Sequence, residues 1–223
     1  PMVAANNFLE LMRSSPFNFA GVRCRLHGSL AFTGVGHATD RAITLGLEGF
    51  TPENYDEVKA SKALSRIQST HFLEPDGLGK LKFNTSEDLI FDYGPRLDEH
   101  SNGLILYAID HQGDVILEEI YFSIGGGFIL TKSEFSQQSP NEIGTEVPYP
   151  FKTAAEMLQM ARSSGKSIAE MKRDNERALH SNAEIKDGLS RIWKTMDMCI
   201  KRGLENDGQL PGGLNVKRRA KGI

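Results

Sequence analysis

Apolar residues at the start of the chain recur at intervals of three and four: Ala4, Phe8, Leu11 and Met12. That spacing predicts an amphipathic helix, and Pro1 suits its first turn, where a missing N–H leaves nothing unpaired. The period then changes. Val22, Cys24 and Leu26 alternate with Arg23, Arg25 and His27, predicting a strand with one buried face. A glycine-rich stretch from Gly28 to Asp40 follows, after which Ala42, Ile43, Leu45 and Leu47 return to helical spacing. Thr51-Pro52-Glu53 reads as a helix start with proline at the first position, leading into a charged helix to about Ile67. Lys80–Phe83, Asp88–Phe91 and Gly103–Ile109 read as strands. His111-Gln112-Gly113-Asp114 makes a turn into Val115–Phe122, so residues 103–122 form a predicted hairpin that Ser123 through Phe128 ends.

Beyond Pro148-Tyr149-Pro150, where proline pushes preceding residues out of helix, the pattern is helical only. Thr153-x-x-Glu156, Ser167-x-x-Glu170 and Ser181-x-x-Glu184 are capping boxes, each predicting a helix start. Ile185, Leu189, Ile192, Trp193, Met196, Cys199 and Ile200 share one face of the last helix, which places Trp193 and Cys199 in a core. Gly203 reads as its stop. The fold class expected is α+β: a mixed-sheet, two-layer domain over residues 1–150, then an all-helical segment over 151–223. The polar, proline-bearing stretch from about 133 to 150 is the expected boundary and the expected first site of proteolysis. A helix that begins at Pro1 and a basic, unpacked tail at Val216–Ile223 predict a piece of something longer.

Composition narrows the function classes. Lys and Arg number 26 against 29 Asp and Glu, a net charge of −3, so no cationic field argues for nucleic acid and a DNA-binding regulator is disfavoured. No apolar run approaches the ~20 residues that span a bilayer, and no signal-peptide pattern is present. The only thiols, Cys24 and Cys199, are too few for a disulfide scaffold, which fits a reducing cytoplasm. They are also too few to hold a four-cysteine metal or iron–sulfur site within this sequence. Cys24 reads as a buried strand residue, and His71, His100, His111 and His180 share no metal-ligand spacing.

Three segments carry candidate chemistry. In Gly34-Val35-Gly36-His37-Ala38-Thr39-Asp40 the glycines let the backbone turn and approach a ligand. His37 is then a candidate general base, with Thr39 and Asp40 as groups that could orient it; the plain alternative is a strand-to-helix turn with a solvated histidine. Ser123, Gly125, Gly126 and Gly127 offer bare backbone N–H groups to an anion or carboxylate, or else form a strained turn or bulge. Lacking a Lys-Ser/Thr pair, this run is no P-loop. Leu210-Pro211-Gly212-Gly213-Leu214 joins a turn to a basic cluster in which Arg218 and Arg219 could hold a carboxylate; the alternative is a solvated linker. No aromatics interleave those cations, so they make a poor nucleic-acid surface.

Taken in order, these segments resemble the bacterial iron–sulfur L-serine dehydratases (L-serine ammonia-lyases). The resemblance is carried by Gly28-Ser29-Leu30 with Thr33-Gly34-x-Gly36-His37-x-Thr39-Asp40, Tyr121-x-Ser123-Ile124-Gly125-Gly126-Gly127-Phe128, Val147-Pro148-Tyr149-Pro150-Phe151, Asn175-Glu176, and Leu210-Pro211-Gly212-Gly213-Leu214-x-Val216-x-Arg218-Arg219-Ala220. It implies conversion of L-serine to pyruvate and ammonia with a 4Fe-4S cluster and no pyridoxal phosphate. It also implies a front domain similar to an allosteric substrate-binding module, a following catalytic part that is all-helical, a homodimer, and cluster cysteines outside this sequence. Relatives often carry lysine at the position of Val35 and a Ser-Ser-His-Thr stretch ahead of the position of Pro1. The competing class is a stand-alone module that binds serine or another small acid without catalysis; a downstream sequence continuing into cysteine-bearing helices would decide between them.

Overall fold

The computed structural model describes residues 1–137, 147–210 and 215–222. The chain divides into two compact units, Pro1–Gln138 with Leu210–Asn215, and Ser139–Gln209 with Val216–Ile223.

In the first unit helix α1 (Met2–Ser14) leads into strand β1 (Gly21–His27), then the short helix α2 (Ser29–Phe32), α3 (Thr39–Leu47) and α4 (Glu57–Thr70). Strands β2 (Phe72–Leu73), β3 (Leu81–Lys82), β4 (Leu89–Asp92), β5 (Gly103–Ile109), β6 (Val115–Gly125) and β7 (Phe128–Thr131) follow, and helix α5 (Lys132–Gln137) comes last. The sheet is mixed, ordered β2-β3-β1-β5-β6-β7. On one side β1 pairs antiparallel with β5; on the other it runs parallel to β3 at Gly21 and to β4 from Cys24 to His27.

Alternation explains the layering. Val22, Cys24 and Leu26 of β1, Leu104, Leu106 and Ala108 of β5, and Tyr121 of β6 point to one face. There they join Ala4, Phe8 and Met12 of α1 and Ile43 of α3 in a single buried cluster. The opposite face carries Arg23 and Arg25, which pair with Asp88 (3.4 Å) and Asp92 (3.5 Å). The α+β class with a mixed sheet therefore follows from the period-two runs, as read. His27 departs from the alternation. Although the pattern places it on the polar face, it is only 8% exposed at the end of β1, its Nδ1 3.9 Å from Asp92.

Two boundaries in this unit also differ from the pattern. The helix expected at Thr51-Pro52-Glu53 begins instead at Glu57, because Asp56 accepts the Lys59 N–H and caps it (2.9 Å). Thr51 and Asn54 bond each other's backbone N–H reciprocally, which holds that segment as a turn. The Ser123–Phe128 segment does not end the sheet. Gly125, Gly126 and Gly127 all have positive φ (98°, 62° and 86°), and they reverse the chain into β7.

The second unit holds α6 (Ala154–Ser164), α7 (Ile168–Arg177), α8 (Asn182–Glu205) and a 3₁₀ turn at Ala220–Gly222. All three capping boxes form, with Thr153, Ser167 and Ser181 each accepting the N–H of the Glu three residues on. Ser181→Ala is expected to cost about 1 kcal/mol and to raise hydrogen exchange in the first turn of α8 alone. Asn175 holds the Pro148-Tyr149-Pro150 segment: its Oδ1 accepts the Tyr149 N–H and its Nδ2 donates to the Tyr149 carbonyl, both at 2.8 Å. Lys166 lies over the Tyr149 ring, 5.1 Å from its centre.

Helix α8 runs through Gly203 to Glu205, since a glycine inside a long helix costs only ~1 kcal/mol. Its apolar stripe is not a core among the described residues: Trp193 is 63% exposed and Cys199 is exposed. The pattern identifies an amphipathic helix correctly, but periodicity cannot say that a partner is at hand. Residues 138–146 and 211–214, with the middle of the expected 133–150 boundary and the Pro211-Gly212-Gly213 turn, lie outside the described residues. No described helix is long and apolar enough to cross a membrane.

Candidate active site

The His37 loop leaves the sheet where β1 ends. Gly28 takes φ 55° and ψ −132°, a conformation natural only to glycine. The Ser29 N–H donates to the Ser101 carbonyl (2.8 Å), and α2 makes one turn before Thr33. Successive turns then close by Thr39 N–H to Gly34 carbonyl (2.8 Å) and Ala38 N–H to Val35 carbonyl (3.2 Å). Ala38 is left-handed (φ 53°) and starts α3.

The Thr33 carbonyl fixes the imidazole. It accepts the His37 backbone N–H at 3.1 Å and lies 2.9 Å from ring Nδ1. A carbonyl can only accept, so Nδ1 carries the proton and Nε2 presents its lone pair. The ring is exposed, so Nε2 can meet a substrate. Among the described residues neither Thr39 nor Asp40 makes a side-chain hydrogen bond to it. Thr39 is buried at the helix start, and Asp40 sits in the first turn of α3, where the helix dipole favours a carboxylate. Phe32 and Tyr93 stack edge to face beside this loop, ring centres 5.3 Å apart.

Register places the second candidate segment at the same end of the sheet. Leu26 of β1 pairs with Leu104 of β5, which pairs with Tyr121 of β6, so Leu26 and Tyr121 lie two strands apart, ~10 Å, and both strands run on toward the same end. Both are tied to neighbouring residues: Ser29 to the Ser101 carbonyl, and the Ser123 N–H to the Asn102 carbonyl at 2.9 Å. The Ser123 amide is thus already occupied, and Gly125 pairs with Phe128, which leaves Gly126 and Gly127 as the unpaired residues of the hairpin tip. Arg218 and Arg219 belong to the second unit. There the Arg218 N–H donates to the Gly208 carbonyl (2.8 Å), and neither guanidinium has an ion pair among the described residues.

Residues 1–134 match the family described as serine dehydratase beta chain. The chain belongs to that family. An L-serine dehydratase of Streptomyces coelicolor is 37% identical over 222 residues, 99% of this chain and 49% of that protein. L-serine dehydratase 1 of Escherichia coli is 36% identical over 227 residues, 100% of this chain and 49% of that protein. An L-serine dehydratase of Haemophilus influenzae is 35% identical over 224 residues, 99% and 48% respectively. The chain spans about half the length of the curated relatives it matches.

Within this serine dehydratase beta-chain region lie His37, Thr39, Asp40 and the Ser123–Gly127 segment, whereas Arg218 and Arg219 lie beyond residue 134. An iron–sulfur cluster does not fit the described residues. Burial pushes the Cys24 thiol up, away from the thiolate a metal needs, and Cys199 stands alone in the other unit. No group of three or more His, Cys, Asp or Glu among the described residues could hold a metal ion. Sequence reading missed the Thr33 carbonyl and the Ser101–Asn102 anchor. Both act through main-chain atoms, which leave no side-chain signature.

Proposed function

We propose that this chain is the front part of an L-serine ammonia-lyase, which converts L-serine to pyruvate and ammonia in the cytoplasm. Residues 1–150 form its beta-type domain and residues 151–223 the helical start of its catalytic domain. The 4Fe-4S cluster implied by the family resemblance is held by cysteines outside this sequence, in the remaining catalytic part, and the enzyme is a homodimer. The observation that carries the reading is the His37 imidazole: exposed, and held at Nδ1 by the Thr33 carbonyl. Identity of 35–37% to three L-serine dehydratases across the whole chain supports it.

In this reading His37 Nε2 removes the α-proton of serine. The Thr33 carbonyl steadies the imidazolium that forms, because it accepts Nδ1–H in both protonation states. The substrate carboxylate meets the Ser123–Gly127 segment, with its Gly126 and Gly127 amides, in the first unit; Arg218 and Arg219 are separate carboxylate candidates in the second unit. Thr39 and Asp40 set the loop from the first turn of α3.

Pyruvate formation from L-serine by the full-length protein, reconstituted with iron and sulfide, tests the proposal; no turnover under those conditions overturns it. Residues 1–223 treated alike should stay colourless. A stable brown chromophore with about four irons would place the cluster ligands in this chain.

A further inference from the structure

Between α1 and the β6–β7 end of the first unit lies a cleft of about 550 Å³. Its sheet wall is Glu119, Tyr121 and Thr131, which share a face because Glu119 and Tyr121 are two apart on β6 and Tyr121 pairs with Thr131. Leu11 and Glu10 of α1 form the helix wall, and Glu134 of α5 completes the lining that matters here. No lysine or arginine lines it.

The charges are unbalanced. Arg13 matches Glu10 at 2.6 Å. Glu119 and Glu134 have no cationic partner among the described residues. Glu119 accepts only the Ile120 N–H (3.1 Å), and Glu134 the N–H and hydroxyl of Thr131 (2.7 and 2.9 Å).

An independent feature points the same way. Tyr121 is 2% exposed, with its ring in the core cluster, and it lines the cleft. Its hydroxyl makes no hydrogen bond among the described residues and is not one of the fully buried unpartnered atoms, so it is open to the cleft. Burial, and then the charges of Glu119 and Glu134, push this hydroxyl up, so it stays neutral and keeps its lone pairs.

We infer that this cleft binds a protonated aliphatic primary amine, its ammonium hydrogen-bonded by Glu119 and Glu134 with the Tyr121 hydroxyl as third acceptor and its methylenes against Leu11. A divalent metal does not suit the site, because Glu119 and Glu134 are only two carboxylates and no group of three or more His, Cys, Asp or Glu among the described residues could hold one. A zwitterion such as L-serine does not suit it either, since its carboxylate would face unpaired acids with no cation to receive it. The inference is therefore independent of the serine chemistry.

Isothermal titration of the full-length protein with 1,4-diaminobutane at fixed ionic strength tests it. Saturable binding is expected, unchanged when L-serine is present at the same concentration, and tetramethylammonium, which has no N–H to donate, should neither bind at the cleft nor compete. Glu119→Gln should weaken binding about tenfold or more, as loss of a charge-assisted hydrogen bond implies, and Tyr121→Phe about two- to tenfold. Glu118→Gln, on the opposite face of β6, should change nothing. Absence of saturable binding overturns the inference, as does equal binding of tetramethylammonium or an equal effect of the two glutamate variants. Should Tyr121→Phe fail to fold, the Glu118 and Glu119 pair still decides the matter.

Discussion

In the complete enzyme, His37→Ala is expected to lower serine turnover by ~10²-fold or more, the range for loss of a positioned acid–base group. Folding should be unaffected. The His37 side chain is exposed and contributes no buried apolar area, and its one ring hydrogen bond goes to a carbonyl that still accepts the residue 37 backbone N–H (3.1 Å). The loss should therefore appear in kcat with the melting temperature unchanged. His37→Gln is the sharper variant. Its side-chain amide can still donate to the Thr33 carbonyl but offers no basic lone pair, so a Gln variant as slow as Ala assigns the loss to proton transfer. If His37→Ala keeps near-normal turnover at saturating serine, the base lies elsewhere in the complete enzyme.

How much of this was legible beforehand depends on whether a feature is written in side chains. The boxes at Thr153, Ser167 and Ser181 are side-chain features by definition, and all three helices begin where they predict. The Val22, Cys24, Leu26 alternation likewise predicts the buried face of β1. Strand β7 escaped because glycines after a strand read as an ending, whereas three positive φ angles in succession turn the chain back. Pro52 misled for a related reason: proline fits a first helical turn, but Asp56 supplies the cap that actually starts α4. His27 was misplaced because alternation describes a strand's middle better than its last residue. For the candidate site, the glycine–histidine spacing found the loop, but the hydrogen bond that fixes the tautomer belongs to a backbone carbonyl. Trp193 marks a different limit, since an apolar stripe states the need for a partner without naming one.

Gly28 is where fold and candidate site depend on each other, and Gly28→Ala is expected to damage both. Two effects add. Its φ of 55° with ψ −132° is costly for any residue with a Cβ, roughly 1–3 kcal/mol. A Cβ there would also lie 2.3 Å from the Ser101 carbonyl oxygen, a main-chain atom that cannot rotate aside. Relieving that clash requires moving the 101 backbone or the start of α2, at roughly 1–3 kcal/mol more. The Ser101 carbonyl also accepts the Ser29 N–H (2.8 Å), so the shift would strain the bond that ties the His37 loop to the sheet. Gly113→Ala separates the two effects, because Gly113 has φ 90° but nothing within 4 Å of a built Cβ. Thermal unfolding should show Gly113→Ala as a modest loss from backbone strain alone. Gly28→Ala should lose roughly 3–5 kcal/mol in total, lowering Tm by on the order of 10 °C. Its serine turnover should fall as well, at temperatures where the protein is still folded, because His37 hangs from the displaced segment. Equal losses for the two variants would mean that the Ser101 contact yields freely and that the loop is not anchored through Gly28.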